Sequence, residues 1–136
     1  MALSAWVGNK RFEIGEPSFL KAWFSTISVR LEQEDWGSLF PVIMRHFYSG
    51  SLSHHRADEA LNELERIRQR LAAFPPERVV WDFENREARP PWGAEISAHI
   101  VSLGNYFVTS DGKDLFDVLA SAFSEAARSR RDVVIS

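Results

Sequence analysis

Cysteine does not occur in the chain. Its absence excludes disulfides, thiolate nucleophiles, Cys-ligated zinc and iron–sulfur clusters, and it fits a reducing cytosol. Long apolar runs are missing too: none approaches the roughly 20 residues of a membrane-spanning helix. The N-terminal MALSAWVGNKRF has neither the basic start nor the apolar stretch of a secretory leader. A cytoplasmic protein with no membrane association is the expectation. Excess positive charge is also lacking, since 16 Lys and Arg stand against 19 Asp and Glu, for a formal net charge of -3 and a pI of about 5.8. General nucleic-acid binding depends on neutralising phosphates and is not expected. A basic protein is the more natural partner. No GxSxG, HExxH, Walker loop or dinucleotide fingerprint is found in the sequence, so no cofactor is expected.

What is present suits a globular domain. With 136 residues and 45% hydrophobic content, residues 1–136 are expected to form one domain burying roughly two thirds of its unfolded surface. AWVGNKRFEI sets two half-apolar runs around Gly8-Asn9, a hairpin signal. Pro17 suits the first turn of a helix, and Phe19, Leu20, Trp23, Phe24, Ile27 and Leu31 recur at the spacing of one buried stripe. Trp36-Gly37 breaks that helix, and a short one is predicted from Pro41 to near Gly50. Ala57 to Phe74 gives the clearest amphipathic helix, with Asp58, Glu59, Glu63, Glu65, Arg66, Arg68 and Arg70 off the apolar stripe; Pro75-Pro76 stops it.

Further on, Val79-Val80-Trp81-Asp82-Phe83 is predicted as a strand and residues 84–91 as a charged loop. A helix is predicted over 94–103, with Ile96, Ile100 and Leu103 inward. Tyr106-Phe107-Val108 is predicted as a strand, about 112–128 as a helix, and Val133-Val134-Ile135 as a terminal strand. The expected class is α+β: one mixed sheet of about five short strands packed against about five helices.

Candidate reactive groups have plain explanations. NYFVTSDGKDLF, residues 105–116, runs from a strand through Ser-Asp-Gly-Lys into a helix, a layout that can cradle a phosphate. A phosphate loop usually takes more than one glycine, however, and Gly112 stands alone here. The local reading is a capping box, with Asp111 as N-cap for the N–H of Asp114 and the Asp114 carboxylate reaching back. His54 and His55, each with a carboxylate four residues on (Asp58, Glu59), supply too few ligands for a metal site and read as a solvated helix start. His46 and His99 have no partner at a recognised spacing. Asp82 and Glu84 alternate along a strand end and would face one side, but nothing in the sequence marks them for acid–base work. No catalytic residue is nominated.

The unusual feature is aromatic: five Trp, ten Phe and two Tyr, with Trp36-Gly37 and Pro91-Trp92-Gly93 at turns. Such a Trp either folds back as a lid on the core or anchors a protein interface. Trp36-Gly37-Ser38 with Phe40-Pro41, Tyr48-x-Gly50-x-Leu52, Val80-Trp81-Asp82, Pro90-Pro91-Trp92-Gly93 and Asn105 to Gly112 occur in an order and spacing that resembles the immunity protein 70 family, across roughly residues 10–127. The resemblance implies a bacterial immunity protein that binds a toxin stoichiometrically and brings no catalytic residues, leaving the toxin's chemistry and the oligomeric state open. A non-enzymatic adaptor or structural domain is the rival reading, and a small enzyme the third. FENREARPPWG, residues 83–93, is the expected contact surface, with Asp82, Glu84, Glu87 and Trp92 as toxin-binding candidates. If the toxin is a nuclease with a basic cleft, the three acids could stand where substrate phosphates lie.

Overall fold

The computed structural model describes residues 2–93 and 95–136. Strands β1 (Leu3–Val7) and β2 (Lys10–Gly15) form the expected hairpin, turning through Gly8, whose φ of +62° is the left-handed value such a turn requires at its first position. β3 (Ser51–Leu52) and β4 (Val133–Ile135) complete one sheet of order β2-β1-β4-β3. The α+β class is as the sequence implies, but among the described residues every pairing is antiparallel rather than mixed, and four strands stand where about five were expected.

Three α-helices occur among the described residues, α1 (Pro17–Arg30), α2 (Ala57–Leu71) and α3 (Leu115–Ser129): α3 packs on the sheet, α1 meets β2, and α2 packs on α3. Ala5, Val7, Ile14, Leu52 and Val133 form the sheet's buried face, against which α3 sets Leu119, Ala122 and Phe123. Phe47, from the short helical stretch Val42–Ser49 near the predicted position, meets Phe123 edge-on at 5.1 Å. The last helix ends at Arg130, which adopts φ 58° and ψ 42°. That left-handed ending is usually taken by Gly, and it turns the chain back to form β4 beside β1.

Helix α1 buries nine of its fourteen residues, including Ser25, Thr26 and Ser28, so it is enclosed on more than the single predicted stripe. The extra cover is residues 79–83. They do not join the sheet as a strand; they lie along α1, and helix side chains satisfy their backbone. The Val80 N–H donates to Thr26 Oγ1 at 3.1 Å, and the Thr26 hydroxyl donates to the Val80 carbonyl at 3.2 Å. Phe83 N–H donates to Ser25 Oγ at 2.9 Å. Strand propensity records a fit to a half-buried surface, and a helix flank meets that need here.

The predicted helix over 94–103 is a series of turns among the described residues, Ala94 lying outside them. The Asn105 side chain accepts from the N–H groups of Val101 and Ser102 and donates to the His99 carbonyl at 2.8 Å. Side-chain bonds of this kind compete with the helical ladder. Leu103 is nonetheless buried, and Ile96 and Ile100 are half-buried as expected. Tyr106-Phe107-Val108 is no strand; it makes a single antiparallel bridge, Val108 with Asp114.

Two buried carboxylates fix the turn from α1 into Val42–Ser49. Glu32, 3% exposed, accepts from the N–H groups of Gly37, Leu39 and Phe40 at 2.9–3.0 Å. Glu63, read from sequence as part of the polar face of α2, is 5% exposed and accepts from Val42 N–H at 3.1 Å and Ile43 N–H at 2.8 Å. Burial pushes the Glu63 carboxyl above the ordinary 4.5, opposed by those two N–H donors.

Thr26→Val keeps the shape but strands the buried N–H and carbonyl of Val80. It should cost about 1–3 kcal/mol in urea unfolding; an unchanged midpoint would refute the clip. For Glu63, the folded chain holds its proton to higher pH than the unfolded one. Its contribution to stability is therefore greatest below the unfolded value and declines as pH rises from 4.5 through the folded value. The difference between wild type and Glu63→Gln across that range should carry this slope, and a flat difference would exclude it.

Candidate functional site

The loop from Asp82 to Gly93 spans one flank of α1, and its charge is divided by position. Near the helix start, Lys21 Nζ lies 3.2 Å from Asp82 Oδ1 and 2.6 Å from Glu84 Oε1. The two acids do face one side as expected, although on a turn: Asp82 Oδ1 also accepts from Glu84 N–H at 2.8 Å. That N–H and the ammonium hold the Asp82 carboxyl below its usual value, and the Glu84 carboxylate is the first cause raising Lys21. One ammonium therefore offsets half of this negative charge. Glu87 is exposed, and its backbone N–H donates to Asn85 Oδ1. Near the end of α1 the loop is basic: Arg86 pairs with Glu34 at 3.1 Å, and Arg89 Nη1 folds back onto the carbonyls of Arg86, Glu87 and Ala88.

The loop tryptophans have different positions. Trp36 is a lid: its Nε1 donates to the Met44 carbonyl, and its ring packs against Phe24, Tyr48 and Phe83 at 4.7–6.5 Å. Trp92 keeps 43% of its surface exposed. Its inner edge meets Trp81 at 5.4 Å and 85°, and its Nε1 donates to the Tyr106 hydroxyl at 3.1 Å. Burial raises the Tyr106 pKa, and the Trp92 bond opposes this. An indole fixed at its inner edge with its outer face free loses little freedom on docking.

Two hollows adjoin this ring, and a third adjoins the Trp81 and Tyr106 base beneath it. One of about 240 Å³ lies between Trp92, Ile96 and Val108, and another of about 180 Å³ between Trp92, Trp81 and Phe19. A third, of about 580 Å³, has Val79, Val80, Trp81 and Tyr106 among its apolar lining and Arg30, Arg86 and Arg89 among its charged groups. A separate groove of about 600 Å³ beside β2 and α3 is charged, but its charges answer one another: Arg68 bonds Asp114 and Asp117, Arg11 meets Glu13, and Lys113 lies near Asp111.

That groove includes the 109–114 turn, and its hydrogen bonds correct the expected capping. Asp114, not Asp111, caps α3, accepting from Phe116 N–H at 2.8 Å. Asp111 instead accepts from the Thr109 hydroxyl. Gly112, at φ +82°, bends the chain so that its N–H donates to the Thr109 carbonyl, and Lys113 N–H donates to Thr109 Oγ1. Ser110 N–H donates to the Ile14 carbonyl. The N–H groups of Ser110, Gly112 and Lys113 are thus engaged within the protein. His54, whose sequence neighbour at the right spacing is Asp58, instead pairs through Nδ1 with Asp132 at 2.9 Å; no group of three or more metal-ligating side chains occurs among the described residues.

Of the sequence-nominated residues, the structure groups Asp82 with Glu84 around Lys21 and sets Trp92 apart from them, on Trp81 and Tyr106. Sequence reasoning missed Lys21, Tyr106 and Arg30. Only their distant partners give them a role, and no local spacing marks those partners. Among the described residues no helix is long and apolar enough to cross a membrane.

Tyr106→Phe removes the acceptor for the Trp92 indole. It should red-shift tryptophan emission and lower stability by about 1 kcal/mol; unchanged emission would show that the bond does not hold the ring.

Searches of curated proteins and of solved structures gave no match. The family model described as Immunity protein 70 matches residues 5–135. The chain therefore belongs to the immunity protein 70 family.

Proposed function

We propose that this chain is a cytoplasmic immunity protein that neutralises a cognate toxin by stoichiometric binding, without catalysis. Membership of the family over nearly the whole chain is the observation that carries this reading. The contact surface is the 82–93 loop, with Trp92 as its anchor. A half-exposed Trp on a rigid Trp81–Tyr106 base is the kind of residue that dominates interface energy when a partner covers it. Pro90 and Pro91 limit the loop's freedom before binding. Glu84 and Glu87, exposed at the acidic end, steer approach to a basic surface, such as the cleft of a nuclease; Asp82, less exposed and bonded to the Glu84 N–H, serves more to shape the turn than to attract.

The decisive experiment is co-expression with a cognate toxin domain, sought first in the neighbouring gene, scoring growth and recovery of a complex. Rescue with a one-to-one complex is expected, and continued toxicity with no complex would sink the reading. Within the complex, Trp92→Ala should weaken binding by about 2 kcal/mol, roughly thirtyfold in Kd. Joint Glu84→Lys and Glu87→Lys changes should slow association at low salt; an unaltered on-rate would remove the acidic end from the contact surface.

A further inference from the structure

The cavity of about 580 Å³ at the basic end of the loop has no part in the proposed acidic contact. Its size is that of a ligand cleft, and its chemistry is specific. Val79, Val80, Trp81 and Tyr106 contribute apolar surface, while Arg30, Arg86 and Arg89 contribute guanidinium groups. Arg78 lies close enough to Arg30 to repel it: burial, then Arg78 and Arg86, lower the Arg30 pKa.

The cavity's own carboxylates do not neutralise this group. Glu77 is part of the lining, and Glu34 pairs with Arg86 at 3.1 Å. Four guanidiniums thus share two carboxylates. Arg30 donates through Nε to the Arg78 carbonyl at 2.8 Å, and Arg89 donates to three loop carbonyls. These bonds to neutral oxygens orient the planar groups without cancelling their charge. Guanidiniums held in this way are suited to carboxylates, which they grip through paired N–H donors. Like charges brought together beside an apolar floor are costly unless a counter-charge arrives, and that cost favours an acidic occupant.

We propose that this cavity receives an acidic, extended segment of the partner protein, its carboxylates on Arg30 and Arg89 and an apolar side chain on Trp81 and Tyr106. The proposal rests on the immunity reading for the partner's identity. It assigns the binding loop two electrostatic ends, an acidic one near Lys21 and a basic one near Arg30. About nine residues of α1, or roughly 13 Å of helix rise, separate them, so a partner must match both signs in the correct order.

The test uses the full chain and a capped pentapeptide of four acidic residues around a leucine, with its amide counterpart as control. Saturable change in tryptophan emission is expected with the acidic peptide, at least tenfold weaker with the amide peptide. Arg30→Gln should weaken binding of the acidic peptide at least tenfold, and so should Arg86→Glu with Arg89→Glu, two exposed sites that serve if Arg30→Gln fails to fold. Arg131→Gln, on the turn before β4, should leave it unchanged. Thermal melts by circular dichroism establish that each variant is folded. Equal binding of the two peptides, no emission change at millimolar peptide, or indifference to the arginine changes would overturn the proposal. The same variants titrated with the toxin domain separate the two readings. Rescue by wild type with toxin affinity unaffected by the arginine changes overturns the acidic-segment proposal alone. Failure of rescue alongside arginine-dependent capture of the acidic peptide overturns the immunity reading alone.

Discussion

Buried backbone groups outside regular structure must find hydrogen-bond partners, and in this protein side chains on or beside two helices supply many of them. Thr26 and Ser25 hold the 80–83 segment, Glu32 holds residues 37–40, and Glu63 holds the start of Val42–Ser49. The sheet needs only four strands because these irregular segments are fastened to helices. Each fastening is also a risk, since a buried acceptor that loses its donors, or the reverse, costs more than the bond contributes.

This arrangement sets where the proposed binding surface lies. With residues 79–83 fixed along α1, Trp81 lies inward and the following loop follows the helix from Lys21 toward Arg30 and Glu34. Trp92 then returns across Trp81 and is bonded to Tyr106. The aromatic base is rigid because it belongs partly to the core, and the charged loop projects from it. A core anchor beside a polar, two-signed rim is the general anatomy of a protein interface.

Much of the framework was legible in the chain. The hairpin around Gly8, the helix from Pro17, the amphipathic run from Ala57 and the closing strand at Val133 follow from turn chemistry and periodicity, and each occurs near its predicted place. The misreadings share a cause. Val79 to Phe83 has strand propensity and 94–103 has helical spacing, but long-range hydrogen bonds to Thr26 and Ser25 decide the form of the first, and side-chain bonds to Asn105 that of the second. Asp111 and Asp114 are both plausible caps from sequence; the left-handed bend at Gly112 moves the helix start beyond the first of them.

Sequence alone determined the class, the apolar stripes, the absence of thiol chemistry and the resemblance to a family, because these depend on residue type and local spacing. Only tertiary structure decided which acids are buried, which tryptophan is a lid and which keeps an exposed face, and that Asp82 and Glu84 share a lysine while arginines gather around a separate cavity. Those outcomes depend on contacts between residues such as Lys21 and Glu84, 63 positions apart, and no local pattern encodes such a pairing.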